Sequence, residues 1–122
     1  MITGRKLTGK EKEALAKEVR QFLMDNELWA DIRVYFNGKA FCSDSGDLEG
    51  IDPRDFFEYV AKDHILSMSF EGDFYGCMNF HCEYDADFDN RVQQEFSDIL
   101  AKYGVYSELG HAWNLSCYYA WK

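Results

Sequence analysis

The 122-residue sequence contains few prolines, no long apolar run and no recognisable catalytic motif. It has a single proline and nine glycines, too few for an extended linker. Its apolar runs are all shorter than the ~18 residues that suggest a membrane-spanning helix, so no membrane contact is expected. No Gly-rich phosphate loop, G-x-S-x-G, H-E-x-x-H or Walker pattern occurs. The sequence therefore predicts no membrane span, no cofactor and no catalytic residues.

Signals for export are also absent. The segment Met1–Lys12 is polar and basic and has no apolar stretch of the kind found in a secretory signal. The chain has four cysteines, which in an exported protein could form two disulfides. Without such a signal, we expect a cytoplasmic protein whose cysteines are free thiols.

The residues that are abundant indicate a folded domain. Hydrophobic residues make up 47% of the chain and aromatic residues 17%, so disorder is not expected despite the charge. A chain of this length can bury a core without disulfides or metals. We therefore expect residues 1–122 to form one domain.

The charge is strongly asymmetric along the chain. Residues 1–20 carry six Lys/Arg and three Glu, a balance of +3, whereas residues 21–122 carry seven basic and nineteen acidic side chains, a balance of −12. The acids concentrate in two stretches, 44–63 and 83–98, where they alternate with aromatic residues. Such a charge repels nucleic acid and attracts basic protein surfaces.

Three segments have helical signals. Thr8 and Glu11 form a capping box before an apolar pattern that lasts to about Asp25. Asp52-Pro53 is a second start signal, an N-cap followed by proline. The third pattern, at 92–103, has apolar residues at helical spacing and is followed by Gly104.

Alternating segments between these helices predict three hairpins. Asn37-Gly38 is a strong signal for a two-residue turn, which would pair Phe36 with Lys39. A second hairpin is expected to join strands at 66–70 and 74–82. The third turns near Gly110-His111. The predicted fold is α+β, with three helix–hairpin units and a largely antiparallel sheet of five or six strands that has helices packed on one face.

Several short phrases spread along the second half of the chain together resemble a known group of sequences. They are Asp52-Pro53, Phe57-Glu58-Tyr59, Phe70-Glu71-Gly72 with Tyr75, Lys102-Tyr103-Gly104, Glu108-Leu109-Gly110 and Trp113-Asn114-Leu115. The set resembles small uncharacterised proteins of bacterial mobile genetic elements, over residues 50–120. The resemblance implies no residue roles. It implies a setting in which short acidic proteins often interfere with host defence.

Two possible metal sites fit their metals poorly. The run 83–90 has Asp at alternate positions, as in the first half of an EF-hand loop, but Phe96 stands where the bidentate Glu is needed. These carboxylates are expected to cap the third helix instead. Cys77, His81 and Cys82 resemble zinc ligands. On a predicted strand, however, Cys77 and His81 would lie roughly 13 Å apart. No metal site is predicted.

An enzymatic or small-molecule-binding domain is one alternative function. Glu108 could orient His111 across the last turn, and a cysteine brought near by the fold could act as nucleophile. A homodimerising structural protein is another alternative, so that a monomer and a homodimer both remain open.

The leading interpretation is a non-enzymatic module that binds a basic protein. Tyrosine is enriched in interface hot spots, and Tyr35 and Tyr75 are predicted on strand faces opposite the core. Direct nucleic-acid binding is not expected, because phosphate contacts need positive charge. The partner would be a nucleic-acid-binding defence enzyme, and the protein an anti-restriction or anti-CRISPR inhibitor. Besides the two tyrosines, the predicted binding residues are Asp44, Asp47, Glu49, Asp55, Glu58, Asp85, Asp87 and Asp89.

Overall fold

The computed structural model describes residues 4–79 and 86–121. Within these residues the protein is α+β, with three α-helices and a six-stranded antiparallel sheet. The helices are α1 (Gly9–Asp25), α2 (Asp73–Asn79) and α3 (Ala86–Lys102). The strands are β1 (Ile32–Phe36), β2 (Lys39–Cys42), β3 (Gly46–Glu49), β4 (Ser67–Phe70), β5 (Val105–Leu109) and β6 (Asn114–Tyr119). The predicted fold class and antiparallel sheet are confirmed.

Local signals at the ends of α1 and α3 act as predicted. The Thr8 hydroxyl accepts from the Glu11 amide, and the Glu11 carboxylate accepts from the Thr8 amide, which completes the capping box of α1. Gly104 has φ of 71° just beyond the end of α3, a conformation that favours glycine.

The first hairpin also forms in the predicted register. Asn37 and Gly38 both have positive φ, 49° and 72°, which makes a tight turn that suits the twist of the strands. Phe36 pairs with Lys39 and Val34 pairs with Phe41. Because side chains alternate along a strand, this register places Tyr35 and Ala40 together on the opposite face.

The sheet joins elements that are distant in sequence. Its strand order is β3-β2-β1-β4-β6-β5, so β4 lies between β1 and β6 and pairs with both. Buried side chains from all three helices share one core cluster with alternate residues of the central strands. A smaller cluster of Tyr35, Ala40 and Phe57 includes the other side of β1 and β2.

The second predicted helix–hairpin unit is wrong. Pro53–Asp55 is a single 3-10 turn, and Tyr59 adopts a left-handed backbone with φ of 64°, which a longer helix could not include. Residues 73–79 form α2 and are not a strand, because Phe74 and Cys77 are spaced for one helical face that enters the core. Residues 80–82 lie outside the described residues. The strand β3 was not predicted.

Candidate functional site

Three strand termini meet at one end of the sheet. Ile32, the first residue of β1, pairs with Phe70, the last residue of β4. Next to it, Arg33 pairs with Cys42, the last residue of β2. Because these pairings are antiparallel, the segments that enter β1 and leave β2 and β4 lie side by side.

An exposed acid lies next to each of these termini. Asp31 directly precedes β1, Asp44 is the second residue after β2 and Glu71 directly follows β4. The three acids line one cavity of about 350 Å³. The Glu71 amide donates to the Asp31 carbonyl at 3.1 Å. Three further acids line a second cavity of about 520 Å³, which also includes Gly72. We call the six carboxylates the acidic end: Glu27, Asp31, Asp44, Glu71, Asp73 and Asp89.

The acids of the acidic end differ in their ion pairing from the described acids elsewhere in the protein. Seven described acids outside the acidic end have a Lys or Arg nitrogen within 4.0 Å. Among residues 4–79 and 86–121, no carboxylate of the acidic end forms such a pair. Three acids and one base, Arg33, line the first cavity, and three acids line the second, so the excess charge at this end of the sheet is negative.

The first cavity contains a cysteine beside an arginine. Arg33 donates to the Tyr35 hydroxyl at 3.4 Å, and its guanidinium lies 5.2 Å from the centre of the Phe56 ring. Burial by itself raises the pKa of the Cys42 thiol. Backbone N–H groups of Ser45 and Asp44, the Ser45 hydroxyl and the Arg33 guanidinium outweigh burial, so the pKa is lowered. Cys42 therefore has more thiolate character than an ordinary buried cysteine.

His111 and Glu108 lie elsewhere. The His111 ring stacks on Trp113 at 5.4 Å and contacts Tyr59 edge-on at 5.3 Å, and its amide donates to the Asn114 side chain at 2.8 Å. Glu108 is exposed on β5, and neither it nor His111 lines the Cys42 cavity.

The other described cysteines are core residues. Cys77 and Cys117 are both buried, and burial raises the pKa of Cys117 to about 12. Such a thiol stays protonated and unreactive at neutral pH. Compared with Cys117, Cys42 therefore has the environment that better suits a nucleophile.

The acids predicted in the first stretch are divided among several surfaces. Asp44 belongs to the acidic end. Asp47 lies on β3 within 3.7 Å of Arg20, and Glu49 lies on the same strand beside a groove that also contains lysines. Asp55 and Glu58 are exposed in the irregular segment after β3. Asp55, on the one hand, and Asp47 and Glu49, on the other, line cavities different from that of Asp44.

The structure describes two of the three acids predicted as binding residues in the second stretch. Asp87 is exposed in the first turn of α3, as expected of a capping carboxylate. Asp89 is fully buried and lines the second cavity. Asp85 lies outside the described residues.

The two tyrosines also differ from prediction. Tyr35 lies on the predicted face but is only 2% exposed, because Phe56 and Phe57 pack over its ring at 6.1 and 5.7 Å. Tyr75 is on α2 rather than a strand, half-buried against the main core and beside Asp89 in the second cavity. Tyr35 is therefore buried, whereas Tyr75 lines the second cavity of the acidic end.

The metal candidates now have a different structural context. Asp87 and Asp89 lie on a helix, so the EF-hand spacing does not correspond to a loop. Cys77 lies on α2, which removes the strand geometry that argued against zinc, while His81 and Cys82 lie outside the described residues. Within the described ranges, no group of three His, Cys, Asp or Glu side chains could hold a metal ion.

Four acids of this region were not predicted: Glu27, Asp31, Glu71 and Asp73. In the sequence they are isolated acids outside both rich stretches. The sequence offered one signal: Asp31 stands at the start of the alternating pattern of the first predicted strand, and Glu71 directly follows the predicted strand 66–70. Their proximity depends on the pairing of β1 with β4, which local patterns do not show.

No protein-family model matches this chain, and comparisons with curated proteins and with solved structures found no match. In the part of the chain that the structure describes, no helix is long and apolar enough to cross a membrane.

Proposed function

We propose that this protein is a small non-enzymatic module that binds a basic partner protein through the acidic end. The observation that supports this proposal most directly is the group of six carboxylates without ion pairs, in a protein whose other described acids are often paired. Unneutralised charge of one sign speeds the association of an oppositely charged protein and selects against other partners.

The exposed positions of the acidic end suit such a contact. Asp31, Asp44 and Glu71 are exposed and flank the ends of β1, β2 and β4. We infer that the three helices pack on one face, while the segment around Phe57 covers part of the other. A partner would then approach the end of the sheet rather than a face.

The partner we propose is a protein whose basic surface normally binds nucleic acid. Carboxylates at the acidic end would occupy the positions of backbone phosphates, and the partner would be a cytoplasmic defence enzyme. An anti-restriction or anti-CRISPR inhibitor is the concrete form of this proposal. Its complex is expected to weaken with added salt and to compete with DNA. Affinity that responds to neither would contradict the proposal.

A charge-matched pair of variants tests where the binding surface lies. The first neutralises the acidic end with Asp31→Asn, Asp44→Asn and Glu71→Gln. The control makes the changes Asp55→Asn, Glu58→Gln and Glu108→Gln at exposed positions elsewhere, so both variants raise the net charge of −9 by three units. The probe is a fluorescent nona-lysine peptide, measured by anisotropy.

We expect the acidic-end variant to lose at least about tenfold in affinity, while the control stays near the parent. Equal loss in both variants would show that only net charge matters. Loss in the control alone would assign the surface to the segment around Asp55 and Glu58.

The lowered pKa of Cys42 favours a second candidate, a domain that binds or modifies a small electrophile in the Cys42 cavity. This form of the alternative uses Arg33 in place of His111 and Glu108. Iodoacetamide at neutral pH is then expected to label Cys42 before Cys117, as read by peptide mass spectrometry. Labelling of Cys42 no faster than that of Cys117 would rule out this candidate.

The edge strand β5 favours a homodimer as a further alternative. Tyr106 and Leu109 on this strand are 44% and 43% exposed, and an exposed edge strand can pair with a second copy. Molar mass measured by light scattering across a range of protein concentrations tests this alternative. A constant monomer mass would exclude it.

A further inference from the structure

The second cavity of the acidic end contains a carboxylate with no described partner. Asp89 is 0% exposed, and no hydrogen-bond donor in the described residues reaches either carboxylate oxygen. A buried charged group without a hydrogen bond is strongly unfavourable, and native proteins rarely retain one without a reason. Asp89 lines the cavity together with the exposed acids Glu27 and Asp73.

The rest of the cavity wall suits an organic cation with a flat charged group. Tyr75 and Phe88 provide aromatic surface, and Leu28 provides an apolar contact. Aromatic rings attract cations, most often the guanidinium of arginine. A guanidinium can also donate to both oxygens of one carboxylate at once, whereas an ammonium acts as a single point of charge.

Arg91 of this protein already contacts Phe88, one of the two aromatic residues that line the cavity. The Arg91 guanidinium lies 5.1 Å from the centre of the Phe88 ring and donates to the Asn26 side-chain oxygen at 3.1 Å. Arg91 is held by Glu95 at 2.7 Å and forms no ion pair with Asp89. Phe88 and Asn26, both part of the cavity lining, are thus compatible with a guanidinium.

We propose that this cavity receives the guanidinium of one arginine side chain from the basic partner, paired with Asp89. This proposal rests on the function proposed above and adds a specific anchor to it. The exposed acids Glu27 and Asp73 attract the arginine to the cavity that they line together with Asp89. Arginine is thereby preferred over lysine at this position.

Two peptides of equal charge test the preference in the full chain. Nona-arginine is expected to bind about tenfold more tightly than nona-lysine. Asp89→Asn is expected to abolish that preference, because it weakens nona-arginine binding more than nona-lysine binding. Asp87→Asn is the matched control, since it makes the same chemical change two residues away at an exposed position, and it is expected to keep the preference.

The possible outcomes separate the two proposals. Equal affinity of the parent for both peptides, or a preference that survives Asp89→Asn, overturns the arginine site and leaves the binding module standing. Failure of both peptides to bind the parent overturns the binding module and the arginine site together.

A second measurement remains decisive if Asp89→Asn does not fold. The parent protein is titrated with N-acetyl-arginine methylamide and, separately, with the lysine analogue, and amide NMR shifts are followed. Arginine-specific shifts at Gly72 and Gly76, which line the cavity, are expected. Identical shifts with both compounds, or none at these glycines, overturn the proposal.

Discussion

The surroundings of α1 and the acidic end both contain many carboxylates, but their neighbours differ. On and near α1, Glu11 pairs with Arg5, Glu13 with Lys17, and Glu18 with Lys102. At the acidic end, within the described residues, no carboxylate forms an ion pair. The net charge of the chain does not reveal this difference, because ion pairing depends on where the fold places each basic side chain.

The acids of these two regions therefore have different physical roles. Around α1 they belong to a solvated helix surface, where exposed pairs each contribute little to stability. At the acidic end the same residue types raise the local negative potential, which disfavours folding slightly and favours a basic partner.

The largest expected effect comes from changing the backbone contact that supports the acidic end. A Cβ atom at Gly72 would lie 2.6 Å from the Ala30 carbonyl oxygen, and backbone there cannot move aside easily. Gly72→Ala is therefore expected to reduce the free energy of unfolding by about 2 kcal/mol and to weaken nona-lysine binding. Urea denaturation and peptide anisotropy measure the two effects.

Gly76→Ala is the control for this substitution. A Cβ at Gly76 meets no atom within 4 Å, and the residue lies inside α2, where alanine is the better helix former. We expect it to stabilise the protein by about 0.5–1 kcal/mol. If Gly72→Ala were as stable as Gly76→Ala, the close approach of Gly72 to the Ala30 carbonyl would not restrict position 72 to glycine.

Local patterns predicted the parts of the fold whose causes are local. The Thr8–Glu11 box, the Asn37-Gly38 turn and the Gly104 stop each depend on a few neighbouring residues. The α2 segment was mistaken for a strand because Phe74 and Met78 fit alternation as well as helical spacing. Such short apolar runs are ambiguous without the contacts that select one period.

The candidate site was predicted only in part, because its assembly is non-local. Asp44 and Asp89 were identified as acids, but their neighbours Asp31 and Glu71 were not. Bringing Asp31 to Glu71 requires β1 to pair with β4 across residues 37–66, a separation that local spacing does not describe. Tyr35 was assigned to the correct face, yet its burial depends on Phe57, which packs from a segment predicted to be a helix.

A smaller change in stability is expected from substitution of Asp89, an acid of the acidic end that is buried rather than exposed. Asp89→Asn removes a buried charge that has no described donor, so we expect stability to rise by about 1 kcal/mol. Asp87→Asn removes an exposed charge from the first turn of α3 and is expected to cost about 0.3–1 kcal/mol through the helix dipole. Urea denaturation of both variants at neutral pH measures these opposite changes. Loss of stability in Asp89→Asn as well would show that Asp89 has a stabilising partner.

The smallest effect concerns pairing near α1 and is best seen as a dependence on pH. Two Arg5 hydrogen bonds, at 2.7 and 2.6 Å, and the Thr8 amide lower the pKa of Glu11 from its ordinary 4.5 to about 2. A carboxyl whose pKa is lower in the folded state stabilises the protein above pH 4.5, and this contribution disappears as pH falls toward 2.

The parent is therefore expected to exceed Glu11→Gln in stability at neutral pH, with the difference shrinking between pH 4.5 and 2. Thermal denaturation at a series of pH values measures the difference. Arg5→Gln is the matched variant, since it leaves the carboxyl in place but removes the first of its two stabilising partners, and it should reproduce most of the change. A difference between parent and Glu11→Gln that persists unchanged to pH 2 would show that the Arg5 pair does not hold Glu11 ionised. The proposed difference in energy between the paired acids around α1 and the acids of the acidic end would then have no support.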